Sequence, residues 1–427
     1  MDRVRRWILY HNVEHVDGPE EVAIEPDELV VLCLLRDGRP YVRSFVEHYA
    51  SLGVKHMVFL DNGSRDGTVE ALRKYDNVTV LRTRLPFRHY QLYMRRYLIH
   101  RFGKDRWSLT VDMDELFDYP YSDVVGLGSL LRYLNNGGYT AVVAQMLDMF
   151  PEKPLMSVVG DEEELADSED EPLKELHRFY DISGVRIQEY FPTGGNNNVL
   201  ANEEIKWFRD GIKTALFGHR AMLSKHPLIF FDDKIIPVDG TMHRTSNARV
   251  ADLSCVLFHY KLLDRLYKQA VHAVSEKNYP NRHEKYEKYV DALEKNPELQ
   301  IKRETARELQ NVNELVENQF LVVSGDYMTW VDLEEEKRIV DGMEDAPRRF
   351  AESYFKARVE TQTLSARRFQ RQVQDLKSML AEERRERQAL ERRNKTLDVQ
   401  LREIQSSRSW KLITTLGYVR AKVLGKQ

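Results

Sequence analysis

Short apolar runs alternate with helical stripes through the first part of the chain. Residues 29–35 form a continuous apolar run of strand length, residues 41–52 carry apolar side chains at helical spacing, and residues 55–60 form a second run. A third pair follows, with a helix over 69–75 and a strand over 78–81. Continuous apolar runs indicate strands that are buried on both faces. The pattern therefore predicts an α/β fold with a mainly parallel sheet.

Polar residues follow directly after the predicted strands. Arg36 follows the first run, Asp61 comes after the second, and Asp112 and Asp114 follow a further apolar run over 107–111. Parallel strands end at one edge of their sheet, and α/β sheets bind ligands at that edge. We therefore expect these side chains to lie together and to line a binding site.

Asp112 and Asp114 are two residues apart at the end of the run over 107–111. In extended backbone, side chains at positions i and i+2 point to the same face, so the two carboxylates are expected to converge on one divalent cation. Glu115 would face the opposite way and is interpreted as structural. Acidic pairs at strand ends are more often solvated, so the pair alone does not establish a metal site.

Further along the chain, a strand is predicted over 139–148 and ends in Asp148. Residues 161–171 carry eight carboxylates, which is typical of a solvated loop. The Gly- and Asn-rich residues 191–198 and the segment 223–231 suit loops and short strands around a site.

The composition is that of a globular protein. Hydrophobic residues make up 42% of the 427 positions and aromatic residues 10%, which excludes a wholly disordered chain. Cys33 and Cys255 both lie in apolar runs, which argues against a disulfide framework and favours a reducing compartment. We recognise neither a signal peptide nor an apolar segment of transmembrane length, so we expect a cytoplasmic location.

The net charge of −4 hides an uneven distribution. Residues 356–427 carry 18 Lys and Arg against 8 Asp and Glu, whereas residues 1–355 carry 46 against 60. An acidic body lacks the basic face that nucleic-acid binding requires, so we expect no nucleic-acid partner.

A heptad repeat begins at about Phe369. Its a positions are Val373, Leu380, Arg387, Asn394 and Leu401. One asparagine at an a position favours a parallel two-stranded coil, so we predict a homodimer through residues 346–406. The alternative is a single charged helix folded back on the body. The tail over 407–427 is basic and amphipathic, which suits either peripheral contact with an anionic membrane or a cap on the coil.

Two segments resemble a known enzyme family. Residues 32–68 combine a strand, a helix and the turn Asp-Asn-Gly-Ser-Arg-Asp-Gly-Thr, and residues 112–117 read Asp-Met-Asp-Glu-Leu-Phe. Together they resemble bacterial family 2-like glycosyltransferases of the GT-A fold, in the branch related to glycosyltransferase family 92. The resemblance covers residues 29–262 and extends more weakly to residue 330. Many relatives have Asn-Glu where this chain has Asp37-Gly38.

The resemblance implies a nucleotide-sugar donor, a glycan or other surface-polymer acceptor, and a divalent cation, Mn²⁺ or Mg²⁺. A metal held by carboxylates would stabilise the charge that develops on a diphosphate leaving group. Asp114 is expected to bind the metal directly, with Asp112 and His259 as further ligands.

Five residues are expected to contact the donor. Asp61 would accept a hydrogen bond from the base or ribose, and Asp112 would touch the sugar and ribose hydroxyls. Lys225 and Lys261 match family segments. Lys261 would meet the diphosphate as a point charge, and Lys225 would contact either the diphosphate or the acceptor. Arg36 joins this set from the loop after the first strand.

An inverting transfer, which rests on the resemblance alone, needs a carboxylate that deprotonates the acceptor hydroxyl. Asp148 is the first candidate because a strand end is a rigid place for a base, and Asp112 completes the predicted catalytic pair. Asp232, Asp233 and Asp239 are alternatives for the base.

The sequence thus predicts five regions. They are an N-terminal extension (1–27), a GT-A-like domain (28–262), a helical extension (263–345), a coiled coil (346–406) and a basic tail (407–427). Two other functions stay open: a sugar nucleotidyltransferase, and a non-catalytic coiled-coil scaffold whose α/β domain binds nucleotide.

Overall fold

The computed structural model describes most of the first 341 residues. The described ranges are 2–155, 177–190, 197–262, 266–276 and 283–341, with the isolated positions 356, 358, 390 and 393. The chain divides into two units, residues 1–360 and residues 361–427. All the helices and strands named below lie in the first unit.

Ten α-helices lie within the described ranges. They are α1 (Asp2–Tyr10), α2 (Val42–Ser51), α3 (Thr68–Leu72), α4 (Phe87–Phe102), α5 (Leu127–Asn136), α6 (Ile212–Phe217), α7 (Leu266–Glu276), α8 (His283–Lys295), α9 (Glu314–Glu317) and α10 (Gly325–Asp341). A short 3-10 helix, Arg39–Tyr41, leads into α2.

The strands in the same ranges are β1 (Glu14–Asp17), β2 (Val30–Leu35), β3 (His56–Asp61), β4 (Val78–Arg82), β5 (Trp107–Val111), β6 (Glu115–Asp118), β7 (Ala141–Asp148), β8 (Phe179–Tyr180), β9 (Val185–Glu189), β10 (Val199–Leu200), β11 (Lys206–Asp210), β12 (Ser224–Phe230), β13 (Ile236–Pro237), β14 (Thr245–Ser246), β15 (Arg249–His259) and β16 (Arg307–Glu308). Three pairs form small separate sheets: β9 with β11, β13 with β14, and β8 with β16.

The main sheet is mixed but mainly parallel. Its strand order is β1-β4-β3-β2-β5-β12-β7-β15-β10, and β6 pairs with β15. The run from β4 to β5 is parallel, as are β7, β15 and β10. β12 lies antiparallel between β5 and β7, while β1 and β6 pair antiparallel with β4 and β15. The predicted α/β class with a mainly parallel sheet is therefore confirmed.

The sheet separates two apolar cores, which explains the continuous apolar runs. β2 is buried at every position, and its side chains alternate between the two faces. Val31 and Cys33 pack in the core that contains Phe45 of α2, whereas Leu32 packs in the core that contains Met94 of α4. A strand covered by helices on both sides needs apolar residues at odd and even positions alike.

The N-terminal segment belongs to this sheet. α1 packs on α4 and buries Leu9, and β1 pairs with β4 as an antiparallel edge strand. The sequence predicts an N-terminal extension over residues 1–27, but it does not predict that α1 and β1 pack on the sheet. β1 reads Glu-His-Val-Asp, which is too short and too polar to give an apolar period.

Helices are found in the region predicted to be a helical extension. α7 and α8 pack against each other, and α8 ends at Lys295, just before the predicted break at Asn296-Pro297. α10 is anchored to the sheet domain by the Trp330 indole, which donates to Ser129 at 3.0 Å, and by the Tyr327 hydroxyl, which donates to the Pro120 carbonyl at 2.8 Å.

Several predictions concern residues outside the described ranges. These are the acidic loop over 161–171, residues 191–196 of the Gly- and Asn-rich segment, the heptad repeat over 369–404 apart from Leu390 and Arg393, and the basic tail over 407–427. Among the described helices, none is long and apolar enough to cross a bilayer.

Candidate active site

Five strands that carry candidate residues end at one edge of the main sheet. β2, β3, β5, β7 and β15 share one direction, because the two antiparallel pairings of β12 restore the direction between β5 and β7. β6 and β12 run the other way and begin at the same edge. This carboxyl edge carries Arg36, Asp61, Asp112, Asp148 and His259 at strand ends and Glu115 and Lys225 at strand starts. The expectation that the strand-end residues share one edge is confirmed.

The backbone between Asp112 and Asp114 is a turn. β5 ends at Val111, β6 begins at Glu115, and the Glu115 amide donates to the Asp112 carbonyl oxygen at 3.0 Å. The expectation that extended backbone aligns the two carboxylates is therefore wrong. Instead, the turn directs Asp112 and Asp114 toward different cationic partners.

Asp112 lies between two buried cations. Its carboxylate forms an ion pair with Arg95 and lies 3.6 Å from Nζ of Lys225, while 38% of its side chain is exposed. Arg95 comes from α4 and also donates to the carbonyl oxygens of Val111 and Gly240. Asp112 is thus a charged group at the accessible side of the cluster.

Glu115 is buried in the same cluster. Its carboxylate forms an ion pair with Lys225 and accepts the Asp112 amide hydrogen at 3.1 Å. Burial acts to lower the pKa of Lys225, but the negative charges of Glu115 and Asp112 raise it overall, so this lysine stays charged. The interpretation of Glu115 as pointing away assumes an extended strand, and the turn brings its side chain back toward the charged group.

Asp114 is held by the segment that follows β15. Its carboxylate lies 3.6 Å from Nε2 of His259 and 3.4 Å from Nζ of Lys261, and 15% of the side chain is exposed. The Tyr260 amide donates to the Asp114 carbonyl oxygen at 2.7 Å and so fixes the turn against β15. Burial alone would raise the pKa of Asp114, but the charges of Lys261 and His259 hold it below its usual value.

His259 is oriented from behind by a buried ion pair. It lies opposite Asp148 in the register between β15 and β7, and its Nδ1 donates to Asp148 at 2.6 Å. Nζ of Lys213 donates to the same carboxylate at 2.7 Å and lies 3.0 Å from the imidazole Nδ1. Because Nδ1 faces Asp148, Nε2 is the ring nitrogen that faces the carboxylate of Asp114.

Both of these contacts are made to Oδ1 of Asp148. Its burial would raise the pKa, but Lys213 and His259 together lower it to about 2. A carboxylate with so low a pKa is a weak proton acceptor at neutral pH. This environment does not favour the predicted role of Asp148 as a base and suits a role in holding His259.

Lys213 was not predicted, because α6 carries no motif or period that would have marked it. The helix follows Gly211, whose φ of 75° lies in the left-handed region, and it brings the lysine against a strand end 65 residues earlier in the chain. A lysine in a short helix after a glycine can be recognised as a site residue only when its acidic partner is known.

One group of side chains in the described ranges fits a metal ion. Single ligand atoms of Asp114, Glu115 and His259 lie within 4.8 Å of one another. Two carboxylates and an imidazole suit Mn²⁺ or Mg²⁺, and a histidine whose second nitrogen is bonded to a carboxylate is a common metal ligand. The group contains the predicted ligands Asp114 and His259, with Glu115 where the sequence suggests Asp112.

Asp61 is buried in the turn that it begins. Its carboxylate accepts a hydrogen bond from Arg82 at 2.8 Å and from the Ser64 amide at 2.9 Å. The neighbouring Asn62 side chain donates to the carbonyl oxygens of Thr83 and Leu85. These contacts hold the loop at the carboxyl edge, and the predicted contact of Asp61 with a donor stays a prediction.

The loop after β2 packs beside the turn of the acidic cluster. Nε of Arg36 lies 3.4 Å from Asp37, which adopts a φ of 53°. At Gly38, a Cβ would lie 3.3 Å from the side chain of Met113. The loop that Arg36 begins therefore packs against the acidic turn through Gly38, and the predicted contact of Arg36 with a donor stays a prediction.

The direction of β12 distinguishes Asp232 and Asp233 from Asp239 as alternative bases. This strand ends at Phe230 on the opposite edge of the sheet, and Asp232 and Asp233 follow it there. Asp233 pairs with Lys104 at 2.7 Å, and Asp232 accepts backbone amide hydrogens of its own turn. These two residues are therefore excluded as the base. Asp239 stays a candidate because its neighbour Gly240 lies close to the acidic cluster. The Gly240 carbonyl oxygen accepts a hydrogen bond from Arg95, which also pairs with Asp112.

Comparisons with known proteins do not identify a family for this chain. No family model and no curated protein matches the chain. One similar solved structure is a nucleotidyl transferase from Methanothermobacter thermautotroptrophicus, with 15% sequence identity and a TM-score of 0.18. The match covers 30% of this chain and 63% of that chain, an extent that supports no conclusion about function.

Proposed function

We propose that the chain is a metal-dependent glycosyltransferase with a GT-A-like architecture and a nucleotide-sugar donor. The observation that carries this proposal is the group formed by Asp114, Glu115 and His259 at the carboxyl edge. Ligands of α/β sheets bind at this edge, and the group has the ligand chemistry of Mn²⁺ or Mg²⁺. Such a cation, when bound, would neutralise the charge that develops on a diphosphate leaving group.

The cations around this group support a diphosphate ligand. Lys225 lies 3.6 Å from the carboxylate of Asp112 and Lys261 lies 3.4 Å from that of Asp114, so both charges lie beside the acidic turn. Lysine binds phosphate as a point charge, and in the proposed complex both ammonium groups contact the diphosphate. Asp112, with its partly exposed side chain, would then accept hydrogen bonds from the sugar or ribose hydroxyls.

The remaining roles follow from the contacts that hold His259 from behind. Asp148 and Lys213 position His259 and do not touch the substrate. The base of an inverting reaction is then better sought at Asp239, whose side chain is 20% exposed and lies 3.4 Å from Arg244. The inverting stereochemistry itself rests on the family resemblance.

A thermal-shift measurement tests this proposal. We expect a panel of nucleotide sugars and nucleoside diphosphates to raise the melting temperature only when Mn²⁺ or Mg²⁺ is present. A ligand at about a hundred times its Kd would add roughly 2.7 kcal/mol to the free energy of unfolding. In Asp114→Asn, the combination of metal and nucleotide should no longer raise the melting temperature.

Asp233→Asn is the matched control, because it also removes one ion-paired carboxylate but lies at the opposite edge. Equal responses of the two variants would overturn the proposed site. Turnover then separates the rival functions, since a glycosyltransferase releases a nucleoside diphosphate from a nucleotide sugar, whereas a nucleotidyltransferase releases pyrophosphate from a nucleoside triphosphate. A scaffold would bind nucleotide and release neither.

A further inference from the structure

The outer face of α1 combines basic and aromatic side chains. Trp7 is 63% exposed, Tyr10 66% and Val4 60%, although the opposite face of the same helix buries Leu9 against α4. Arg6 is exposed on this outer face as well. Exposed tryptophan and tyrosine rings beside arginines are typical of helices that lie in the interface of a membrane.

A cavity of about 880 Å³ opens beside these side chains. Its walls come from α1, the C-terminal half of α4 and the segments that precede β2 and β5. It therefore lies at the amino-terminal edge of the parallel strands, opposite the candidate active site. Four arginines and two glutamates are among its lining residues, namely Arg6, Arg96, Arg101, Arg106, Glu20 and Glu21.

Positive charge accumulates on one wall of the cavity. Burial lowers the pKa of His100, and the nearby charge of Arg6 lowers it further, as do Arg96 and Lys104. Asp233 opposes this effect only in part. Residues 1–355 carry more acidic than basic side chains, so this wall differs in sign from the body around it.

We infer that α1 and this cavity dock on an anionic membrane surface. In the docked state, the rings of Trp7 and Tyr10 lie in the bilayer interface, and lipid headgroup phosphates face Arg6, Arg101 and Arg106. Arginine suits this contact because its planar guanidinium carries five N–H donors and matches the geometry of phosphate. The carboxyl edge stays accessible, because it lies at the other end of the strands. This inference does not depend on the proposed function.

Flotation of the full chain with lipid vesicles tests the inference. We expect binding to phosphatidylcholine vesicles that contain phosphatidylglycerol and little binding to phosphatidylcholine alone. Each basic side chain near an anionic surface multiplies the partition coefficient about fivefold, so the double variant R6E/R101E should lower it by more than tenfold. Trp7→Ser should also lower it, because it removes the ring that lies in the interface.

The controls match exposure and charge at sites away from the cavity. Ile187→Ser replaces an apolar side chain that is 63% exposed, as Trp7 is, and Arg220→Glu reverses an exposed charge. Both controls should bind as the unaltered chain does. Unchanged binding of R6E/R101E would overturn the inference and assign any membrane contact to another part of the chain, such as the basic residues 407–427.

A second measurement reports directly on Trp7. Brominated phosphatidylglycerol should quench part of the tryptophan fluorescence of the bound protein, and Trp7→Phe should lose that part. Equal quenching with and without Trp7, or equal binding to vesicles with and without anionic lipid, would also overturn the inference.

Discussion

Four carboxylates lie close together at the carboxyl edge, and their partners give them different chemistry. Asp112 is partly exposed between two cations, whereas Glu115 is buried against one of them. Asp148 is buried behind His259 and keeps a pKa of about 2. Residue type alone therefore did not distinguish a ligand from a positioning residue, because that distinction depends on burial and on partners far away in the sequence.

Replacement of Asp148 tests its role behind His259. In Asp148→Asn, the buried Lys213 loses its anionic partner, and we expect the free energy of unfolding to fall by roughly 3–5 kcal/mol. Urea denaturation measures this loss. Since the folded-state pKa is depressed, the carboxylate stabilises the fold above about pH 4, and this contribution is lost as the pH falls toward 2.

The double variant D148N/K213M separates stability from positioning. It removes both buried charges and should regain most of the lost stability, while the amide holds the imidazole less firmly than the carboxylate does. Loss of a group that orients a metal-bound histidine lowers metal affinity about 10- to 100-fold. A Mn²⁺ titration that gave the unaltered affinity in this variant would show that Asp148 is only structural.

Among the elements, the long apolar strands were predictable and the short polar ones were not. Residues 29–35 and 55–60 reach strand length with buried side chains on both faces, so their pattern identifies β2 and β3 directly. β1 is too polar to be recognised, and the position of β12 between β5 and β7 depends on pairings that no local period encodes. The turn at Asp112 was also not predicted, because no local period marks it and β6 begins only three residues later.

The packing of α1 on α4 gives a prediction for this part of the fold. Leu9 is 1% exposed, so Leu9→Ala should lower the free energy of unfolding by about 2–5 kcal/mol through lost burial and a cavity. Val4→Ala, on the exposed face of the same helix, should change it by less than about 0.5 kcal/mol. Chemical denaturation measures both, and equal values would contradict the packing of this helix into the core.

For the whole molecule, buried histidines make stability depend on pH. Burial lowers the pKa of His56 and of His226 to about 4, whereas an unfolded chain takes up these protons near pH 6.5. Both imidazoles therefore contribute their full stabilisation above pH 6.5, and this contribution is lost as the pH falls toward 4.

The free energy of unfolding, measured by urea denaturation across this range, should decrease with falling pH. Each histidine contributes up to about 1.4 kcal/mol per pH unit, so His56→Gln should reduce the slope by up to that amount. A slope that is the same in this variant would mean that His56 takes up its proton equally in the folded and unfolded states.

The antiparallel insertion of β12 has a consequence for synthesis on the ribosome. Lys225 and Glu115 are 110 residues apart in the chain, and His259 and Asp148 are 111 apart. Chains fold from the N-terminus as they emerge, so β1 to β5 are available long before their central neighbour exists. Until β12 emerges, β5 exposes an unpaired edge and Glu115 lacks Lys225, and Asp114 lacks His259 and Lys261 until the end of β15 has emerged. The nascent chain therefore passes through a stage in which like charges repel one another at an unfinished sheet, and slower translation after residue 118 would lengthen that stage.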